Sequence, residues 1–199
     1  MSNSKIIIVE GPQGAGKTTI TDYIRNIVPY TNLYRLSGTS DSTEAGKIKA
    51  TKMYEDLMNY MENLQNMSIN LLFDRTFFTE EIYCRLGFKE YSFSDEYEKL
   101  LQRLSNMDFE IYYITLYLGN TEEYEKRLQR DGKANVKYAK FNIKSSIEQQ
   151  NAYLKMAEEI KNKYSKINVV NYDTSRDVQI TLNEIKEMLL WLIEKIIII

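Results

Sequence analysis

A glycine-rich segment that ends in a lysine and a threonine occupies residues 11–18, Gly11-Pro12-Gln13-Gly14-Ala15-Gly16-Lys17-Thr18. It matches the pattern G-x-x-x-x-G-K-[ST], called the P-loop below. Glycines let a backbone wrap closely around an anion, so that its amides point at phosphate oxygens. Lys17 is predicted to reach the β- and γ-phosphates of a nucleoside triphosphate, and the Thr18 hydroxyl to ligate Mg²⁺. The residues predicted to bind the nucleotide are Gly11, Gln13, Gly14, Ala15, Gly16, Lys17, Thr18 and Thr19.

A second pair of chemically active side chains, Asp74 and Arg75, follows the apolar run Ile69–Phe73. A carboxylate at the end of a strand beside the P-loop would hold the magnesium ion, usually through water. Arg75 is suited to clamp a phosphate or to pair with Asp74. An ordinary ion pair at the end of a strand is the alternative for both residues.

Composition limits the chemistry available to the 199-residue chain. It has no histidine, which excludes histidine bases and histidine metal ligands, and a single cysteine, Cys84, expected to be buried and inert. A formal net charge of -2 offers no bulk electrostatic argument for nucleic acid as a partner. We find no secretory signal pattern and no apolar run long enough to cross a membrane, and therefore expect a cytoplasmic location.

Strands and helices alternate along the sequence, which predicts an α/β protein of one domain, residues 1–199, with five buried parallel strands and helices on both faces. Ligands of such sheets bind beyond the carboxyl ends of the strands, where both motifs lie. The apolar C-terminal region is predicted to be a helix packed on the core, or else a dimer contact. The predicted strands are Lys5–Val9, Asn32–Leu36, Ile69–Phe73, Ile111–Leu118 and Ile167–Tyr172. The predicted helices are Lys17–Ile27, Glu44–Asn66, Thr76–Leu86, Asp95–Ser105, Thr121–Arg130, Ile143–Lys163 and Asp177–Ile198.

Several segments resemble thymidylate kinases and the related deoxynucleoside kinases. Val9–Thr19 looks like the opening of both groups, and Phe73-Asp74-Arg75 like their Asp-Arg or Glu-Arg motif after the third strand. Tyr34–Thr39 resembles a thymidylate kinase loop with an Arg and a Gly-Thr, and Arg127–Gly132 resembles the arginine-rich lid. Tyr153-Leu154 falls where deoxynucleoside kinases often carry a Tyr-Leu pair. The resemblance spans most of the chain, although only the P-loop is specific by itself.

The resemblance implies a P-loop nucleotide kinase-like three-layer fold with a lid at about residues 129–141. It implies phosphoryl transfer from ATP-Mg²⁺ to a nucleoside or a nucleoside monophosphate, in an enzyme that is usually a dimer. Arg35 and Arg75 would contact the acceptor, while Arg127 and Arg130 would close over the transferring phosphoryl group. The remaining residues expected on the substrate side are Glu10, Tyr54, Asp74 and Phe78, with Tyr54, Phe77 and Phe78 as candidates for stacking on a base or for the core.

Two departures from the family pattern bear on the acceptor. Gln13 is an amide where thymidylate kinases commonly have an acid, and Leu36-Ser37-Gly38 lacks the carboxylate that deoxynucleoside kinases commonly use as a base. Because a monophosphate needs no base, the sequence favours a deoxynucleoside monophosphate, possibly thymidylate. Glu10 or Asp41 would have to supply the carboxylate for a nucleoside. A nucleotide-binding switch and an inactive scaffold, the latter suggested by Gln13, remain as alternatives.

Overall fold

The computed structural model describes residues 4–130 and 143–194, with side chains for residues 4–129 and 143–190. The strands are β1 (Lys5–Glu10), β2 (Thr31–Arg35), β3 (Asn70–Asp74), β4 (Glu110–Tyr117) and β5 (Ile167–Asp173). The helices are α1 (Lys17–Ile27), α2 (Glu44–Asn63), α3 (Phe77–Arg85), α4 (Ser94–Asn106), α5 (Glu123–Arg130), α6 (Ile143–Lys163) and α7 (Val178–Glu194). The predicted order of elements is confirmed, and α1 and α6 have the predicted bounds.

Helix α2 ends three residues before the predicted end at Asn66. Asn66 and Ser68 have φ angles of 64° and 55°, in the left-handed region, which a right-handed helix cannot include. The helical spacing of apolar residues in α2 extends to Leu64 and gives no sign of this turn.

The five strands form one parallel sheet in the order β2-β3-β1-β4-β5. Strand β1 lies at its centre, with Val9 opposite Asp74 of β3 and Glu10 opposite Thr115 of β4. The strand order reverses on either side of β1, so a crevice opens beyond its carboxyl end, where the P-loop begins.

Helices cover both faces of the sheet, because alternate residues of each buried strand point to opposite sides. Ile6 and Ile8 of β1 pack into a core built with α2, α3, α4 and α6. Ile7 and Val9 face the other core, formed with α1 and α7. All four side chains are at most 1% exposed, and each such burial contributes about 1.5–3 kcal/mol. The central strand therefore anchors the P-loop on a rigid base.

The predicted lid at about 129–141 lies almost wholly outside the described residues. Helix α7 packs against α1 through Ile185 and Leu189, as predicted for a terminal helix. No helix in the described ranges combines the length and apolarity needed to span a membrane.

Candidate active site

The P-loop connects the carboxyl end of β1 to α1, and its three glycines adopt backbone conformations that other residues rarely reach. Gly11, Gly14 and Gly16 have φ angles of 142°, 84° and 86°. A Cβ on Gly11 would lie 2.5 Å from the carbonyl oxygen of Leu116, so β4 closely supports the loop. Gly16 caps α1 without a side-chain hydrogen bond, which leaves the first amides of the helix available to an anion.

Lys17 begins α1 and folds back over the loop. Its Nζ donates hydrogen bonds to the carbonyl oxygens of Gly11 at 2.9 Å and Pro12 at 2.8 Å, and the residue is 7% exposed. The ammonium therefore lies inside the curve of the P-loop, where a bound phosphate would meet it. Thr18 and Thr19 are exposed in the first turn, and Gln13 is half-buried in the loop.

Arg127 of α5 braces the P-loop together with Thr174, which follows β5. The Arg127 guanidinium donates to the Gly14 carbonyl at 3.1 Å and to the Thr174 carbonyl at 2.5 Å. The Thr174 hydroxyl donates to the Ala15 carbonyl at 2.9 Å. Sequence reasoning did not find Thr174, although its place at the end of a parallel strand is the signal that marks ligand sites in such sheets.

A cleft of about 440 Å³ opens beside this brace. Its walls include Gly16, Thr19, Arg127, Thr174, Arg176 and Val178. The volume lies within the range of small-molecule sites. Arg127 was expected over the transferring phosphoryl group, whereas the structure places it at the junction of this cleft and the P-loop backbone. The side chain of Arg130 lies outside the described part of the chain.

Arg35 and Asp74 lie together at the ends of β2 and β3. Arg35 Nε is 3.8 Å from Asp74 Oδ2, and Arg35 Nη2 is 2.6 Å from Asp22 Oδ1 of α1. The Arg35 side chain is 48% exposed, whereas that of Asp74 is 11% exposed. The expected acceptor arginine is thus already shared between two carboxylates, which lowers its pull on a further anion.

Arg75 follows Asp74 in a left-handed conformation with φ 72°, and its amide donates to the Val9 carbonyl at 3.1 Å. Burial lowers the pKa of its guanidinium, but the net pKa is raised by Tyr83, Tyr153 and the carboxylates of Glu10 and Asp74. Within the described residues, no hydrogen bond or ion pair holds this guanidinium. Arg75 is therefore a charged, partly buried group at the end of β3, the strand that pairs directly with β1 and lies beside the P-loop.

Glu10, the last residue of β1, is 0% exposed. Its Oε1 accepts a hydrogen bond from the Thr76 amide at 2.7 Å, and its Oε2 accepts one from the Thr79 hydroxyl at 2.7 Å. The Thr79 hydroxyl also lies 2.8 Å from the Tyr153 hydroxyl. Burial raises the pKa of Glu10 to about 7, although these hydrogen bonds and the nearby Arg75 and Lys17 oppose the shift. The residue was expected to touch substrate, but in this conformation it has no surface and contacts only protein.

The aromatic candidates belong to the core. Phe78 is 0% exposed, and its ring centroid lies 4.3 Å from that of Phe77 and 4.6 Å from that of Tyr113. Tyr54 is 1% exposed and donates a hydrogen bond to the Thr76 carbonyl at 3.3 Å. Tyr54 of α2 and Phe78 of α3 are thus both buried in the core in this conformation, and a contact of either ring with substrate stays a prediction.

Two further side chains were singled out in the sequence. Asp41 is held by Lys49 at 2.7 Å, which lowers the pKa of its carboxyl, with Thr43 as a further partner. This exposed pair lies at the start of α2 and does not resemble a base poised at a catalytic centre. Cys84 was expected to be buried, and it is half-buried; burial raises the pKa of its thiol to about 12, which disfavours the reactive thiolate.

Thr18 and Asp74 are the residues that would hold Mg²⁺. A hydroxyl and a carboxylate are hard oxygen donors that suit this ion. The described ranges contain no cluster of three or more metal-binding side chains. A magnesium ion here would therefore complete its coordination with water and phosphate oxygens, which is its usual mode in phosphate-binding sites.

The chain was compared with known proteins by sequence and by structure. No protein-family model and no curated protein sequence matches it. The fold is similar to that of thymidylate kinase from Candida albicans, with TM-score 0.65 and 14% identity, over 97% of this chain and 92% of that chain. It is similar to deoxyadenosine kinase from M. mycoides with bound dCMP and dCDP, with TM-score 0.62 and 17% identity, over 92% and 98%.

Shikimate kinase from Acinetobacter baumannii in complex with shikimate is also similar, with TM-score 0.51 and 14% identity, over 98% of this chain and 94% of that chain. These three proteins share a fold and differ in what they phosphorylate. At such low identity the likeness concerns the architecture, and this chain has the fold of the P-loop kinases.

Proposed function

We propose that this protein transfers a phosphoryl group from ATP-Mg²⁺ to a deoxynucleoside monophosphate. The donor would bind with its phosphates in the P-loop, against Lys17 and the first amides of α1. Its base would enter the 440 Å³ cleft beside Arg127 and Thr174. Transfer between phosphates needs positioning and positive charge more than covalent chemistry, and this site is rich in both.

The observation that carries the proposal is the Arg75 guanidinium, which no hydrogen bond or ion pair holds within residues 4–129 and 143–190. A partly buried positive charge that makes no hydrogen bond is costly, and a phosphate dianion is a fitting partner. Arg75 follows β3 directly and its amide bonds to Val9, two residues before the P-loop. A monophosphate held by Arg75 would thus lie next to the γ-phosphate of the donor. Arg35 would assist from the edge of the site once it exchanges Asp22 for the acceptor.

A second candidate is phosphorylation of a deoxynucleoside at a sugar hydroxyl. It is favoured by the pKa of about 7 at Glu10, a value suited to a general base. Against it, both oxygens of Glu10 are engaged and none of its surface is exposed. The monophosphate reading needs no base and therefore remains our first choice.

The test is a coupled assay of ADP release with ATP-Mg²⁺ and each deoxynucleoside, each matching 5′-monophosphate, and shikimate. We expect at least one monophosphate to stimulate turnover and to exceed its parent nucleoside in kcat/KM. If nucleosides win in every pair, the second candidate is correct. ATP binding without stimulation by any acceptor would favour a switch or an inactive scaffold.

Matched arginine variants assign the acceptor side. Arg75→Ala should lower kcat/KM for the monophosphate about 10²-fold while leaving the KM for ATP nearly unchanged, since a charged hydrogen-bond pair is lost. Arg103→Ala is the control, because Arg103 pairs with Glu62 on the far surface at 2.9 Å. Equal losses in both variants would contradict the placement of the acceptor beside Arg75.

A further inference from the structure

Glu10 joins three elements that meet at the acceptor side. It ends β1, and its carboxylate accepts from the backbone of Thr76 and from the side chain of Thr79 at the start of α3. Thr79 in turn reaches Tyr153 of α6. Between β3 and these contacts stands Arg75, whose left-handed φ of 72° is unusual for a side chain of this size.

The turn at Arg75 is held from both sides. The Arg75 amide bonds to the Val9 carbonyl at 3.1 Å, and the next amide, that of Thr76, bonds to Glu10 at 2.7 Å. Two successive amides are thus fixed by two successive residues of β1. A strained backbone conformation persists only where its surroundings hold it in this way. Without the carboxylate, the Thr76 amide would lose its buried acceptor, and the strained turn would relax.

We propose that Glu10 is a positioning residue, which holds the turn at Arg75 and Thr76 through its carboxylate and so directs the Arg75 guanidinium toward the acceptor phosphate. The inference rests on the proposed function and assigns to a buried side chain a part in acceptor recognition. Glu10 acts here through Arg75 and touches no substrate, since it is 0% exposed. The same observation argues against a role as the base for a nucleoside hydroxyl.

The charge state of Glu10 matters for this role, because an ionised carboxylate accepts hydrogen bonds more strongly than a protonated one. The charged and titratable groups that face it are Lys17 from α1, Arg75 from the turn, Tyr54 from α2, Tyr83 from α3, Tyr113 from β4 and Tyr153 from α6. Burial raises the pKa of all four phenols, so they stay neutral near pH 7. Burial raises the pKa of Glu10 itself to about 7, so its carboxyl changes charge between pH 6 and pH 8.

The experiment compares Glu10→Gln with the wild type in steady-state kinetics from pH 6 to pH 9, using ATP-Mg²⁺ and the preferred monophosphate. Glutamine keeps the shape and removes the charge. We expect kcat/KM for the acceptor to fall about 10²-fold, the loss typical of a misplaced catalytic group, with the KM for ATP changed less than about threefold. The acid limb near pH 7 should disappear from the variant. An acid limb that persists unchanged belongs to the substrate and overturns the proposal.

Glu81→Gln is the matched control, because Glu81 is also 0% exposed, lies on α3 close to Thr79, and pairs with Arg85 at 2.7 Å. Its kinetics should stay near those of the wild type. An equal loss in both variants would mean that α3 is merely destabilised. Thr79→Val removes one of the three hydrogen bonds to Glu10 and should give part of the loss, with Thr79→Ser restoring activity. A fully active Thr79→Val together with a fully active Glu10→Gln would refute the positioning role.

A readout without turnover separates this inference from the proposed function. The Nε–Hε resonance of Arg75 in a ¹⁵N spectrum, assigned by its loss in Arg75→Lys, should be displaced from its random-coil position in the wild type, since the guanidinium is partly buried near Tyr83 and Tyr153. It should move toward the random-coil position in Glu10→Gln and stay in place in Glu81→Gln. If the wild type shows this pattern but has no phosphotransfer activity, only the proposed function is refuted. If the wild type is active but the Arg75 resonance does not move in Glu10→Gln, only the positioning role is refuted.

Discussion

Replacing Glu10 with glutamine should remove most of the pH dependence of folding stability between pH 5 and pH 8. The folded protein raises the pKa of this carboxyl from 4.5 to about 7, chiefly by burial. Between these values the folded state keeps a proton that the unfolded state has lost. The free energy of unfolding therefore falls as the pH rises toward 7, and it levels off above that pH.

The size of the effect follows from the shift. A change of one pKa unit corresponds to about 1.4 kcal/mol, so a shift from 4.5 to about 7 gives an upper value of roughly 3 kcal/mol. No histidine contributes to the pH dependence of stability in this range, because the chain contains none. Glutamine cannot titrate, so the stability of the variant should be nearly flat over the same range.

The assay is urea unfolding followed by circular dichroism at half-unit steps of pH, for both proteins. The difference between the two curves should decline by about 2.5 kcal/mol from pH 5 to pH 8, because part of the shift lies below pH 5. Asp41→Asn is the control, since the pKa of Asp41 is lowered by Lys49 and this carboxylate stays charged throughout the window. Asp41→Asn should change the free energy of unfolding by a constant amount and leave its dependence on pH unchanged. A constant difference between wild type and Glu10→Gln would show that Glu10 titrates near its ordinary pKa, and the burial argument would be wrong.

Three further substitutions test the donor side. Lys17→Ala should lower kcat by about 10²-fold or more with the fold intact, because a cation aimed at the transferring charge is lost, and near wild-type turnover would refute the P-loop assignment. Asp74→Asn should raise the Mg²⁺ concentration for half-maximal activity about tenfold in a metal titration, unless the carboxylate serves only as a partner for Arg35. Arg127→Ala should raise the KM for ATP about tenfold and lower kcat less, because its hydrogen bonds run to Gly14 and Thr174. A large fall in kcat with an unchanged KM for ATP would instead place Arg127 on the transferring phosphoryl group.

The sequence predicted the sheet and the P-loop because their signals are local. The run Ile6 to Val9 is wholly apolar, which a strand buried on both faces requires, and the glycines at 11, 14 and 16 match the positive φ angles found there. Helix α1 ends where Pro29 approaches, as the sequence indicates. In each case the residue itself, or its immediate neighbours, determines the conformation.

The parts of the site that were missed depend on contacts between distant segments. Arg127 looks like a lid arginine in the sequence, but Thr174, 47 residues away, draws it onto the P-loop backbone. Phe78 follows Asp74-Arg75 closely enough to suggest a substrate contact. Its direction is set by how α3 packs on the sheet, and no local pattern records that packing. Glu10 likewise was expected on the substrate side, and its burial depends on Thr79, which comes 69 positions later in the sequence.

The central position of β1 also decides when the site can be assembled during synthesis. Ile6 of β1 pairs with Leu71 on one side and with Ile111 on the other, so its neighbours emerge from the ribosome long after it. All six residues of β1 are buried in the finished sheet, and until β3 and β4 are made its four apolar residues, Ile6 to Val9, belong to a strand with unpaired edges. Chains halted before Tyr117 should accordingly associate with chaperones or aggregate. The triphosphate loop is made among the first segments of this sequence and is one of the last to take its working shape.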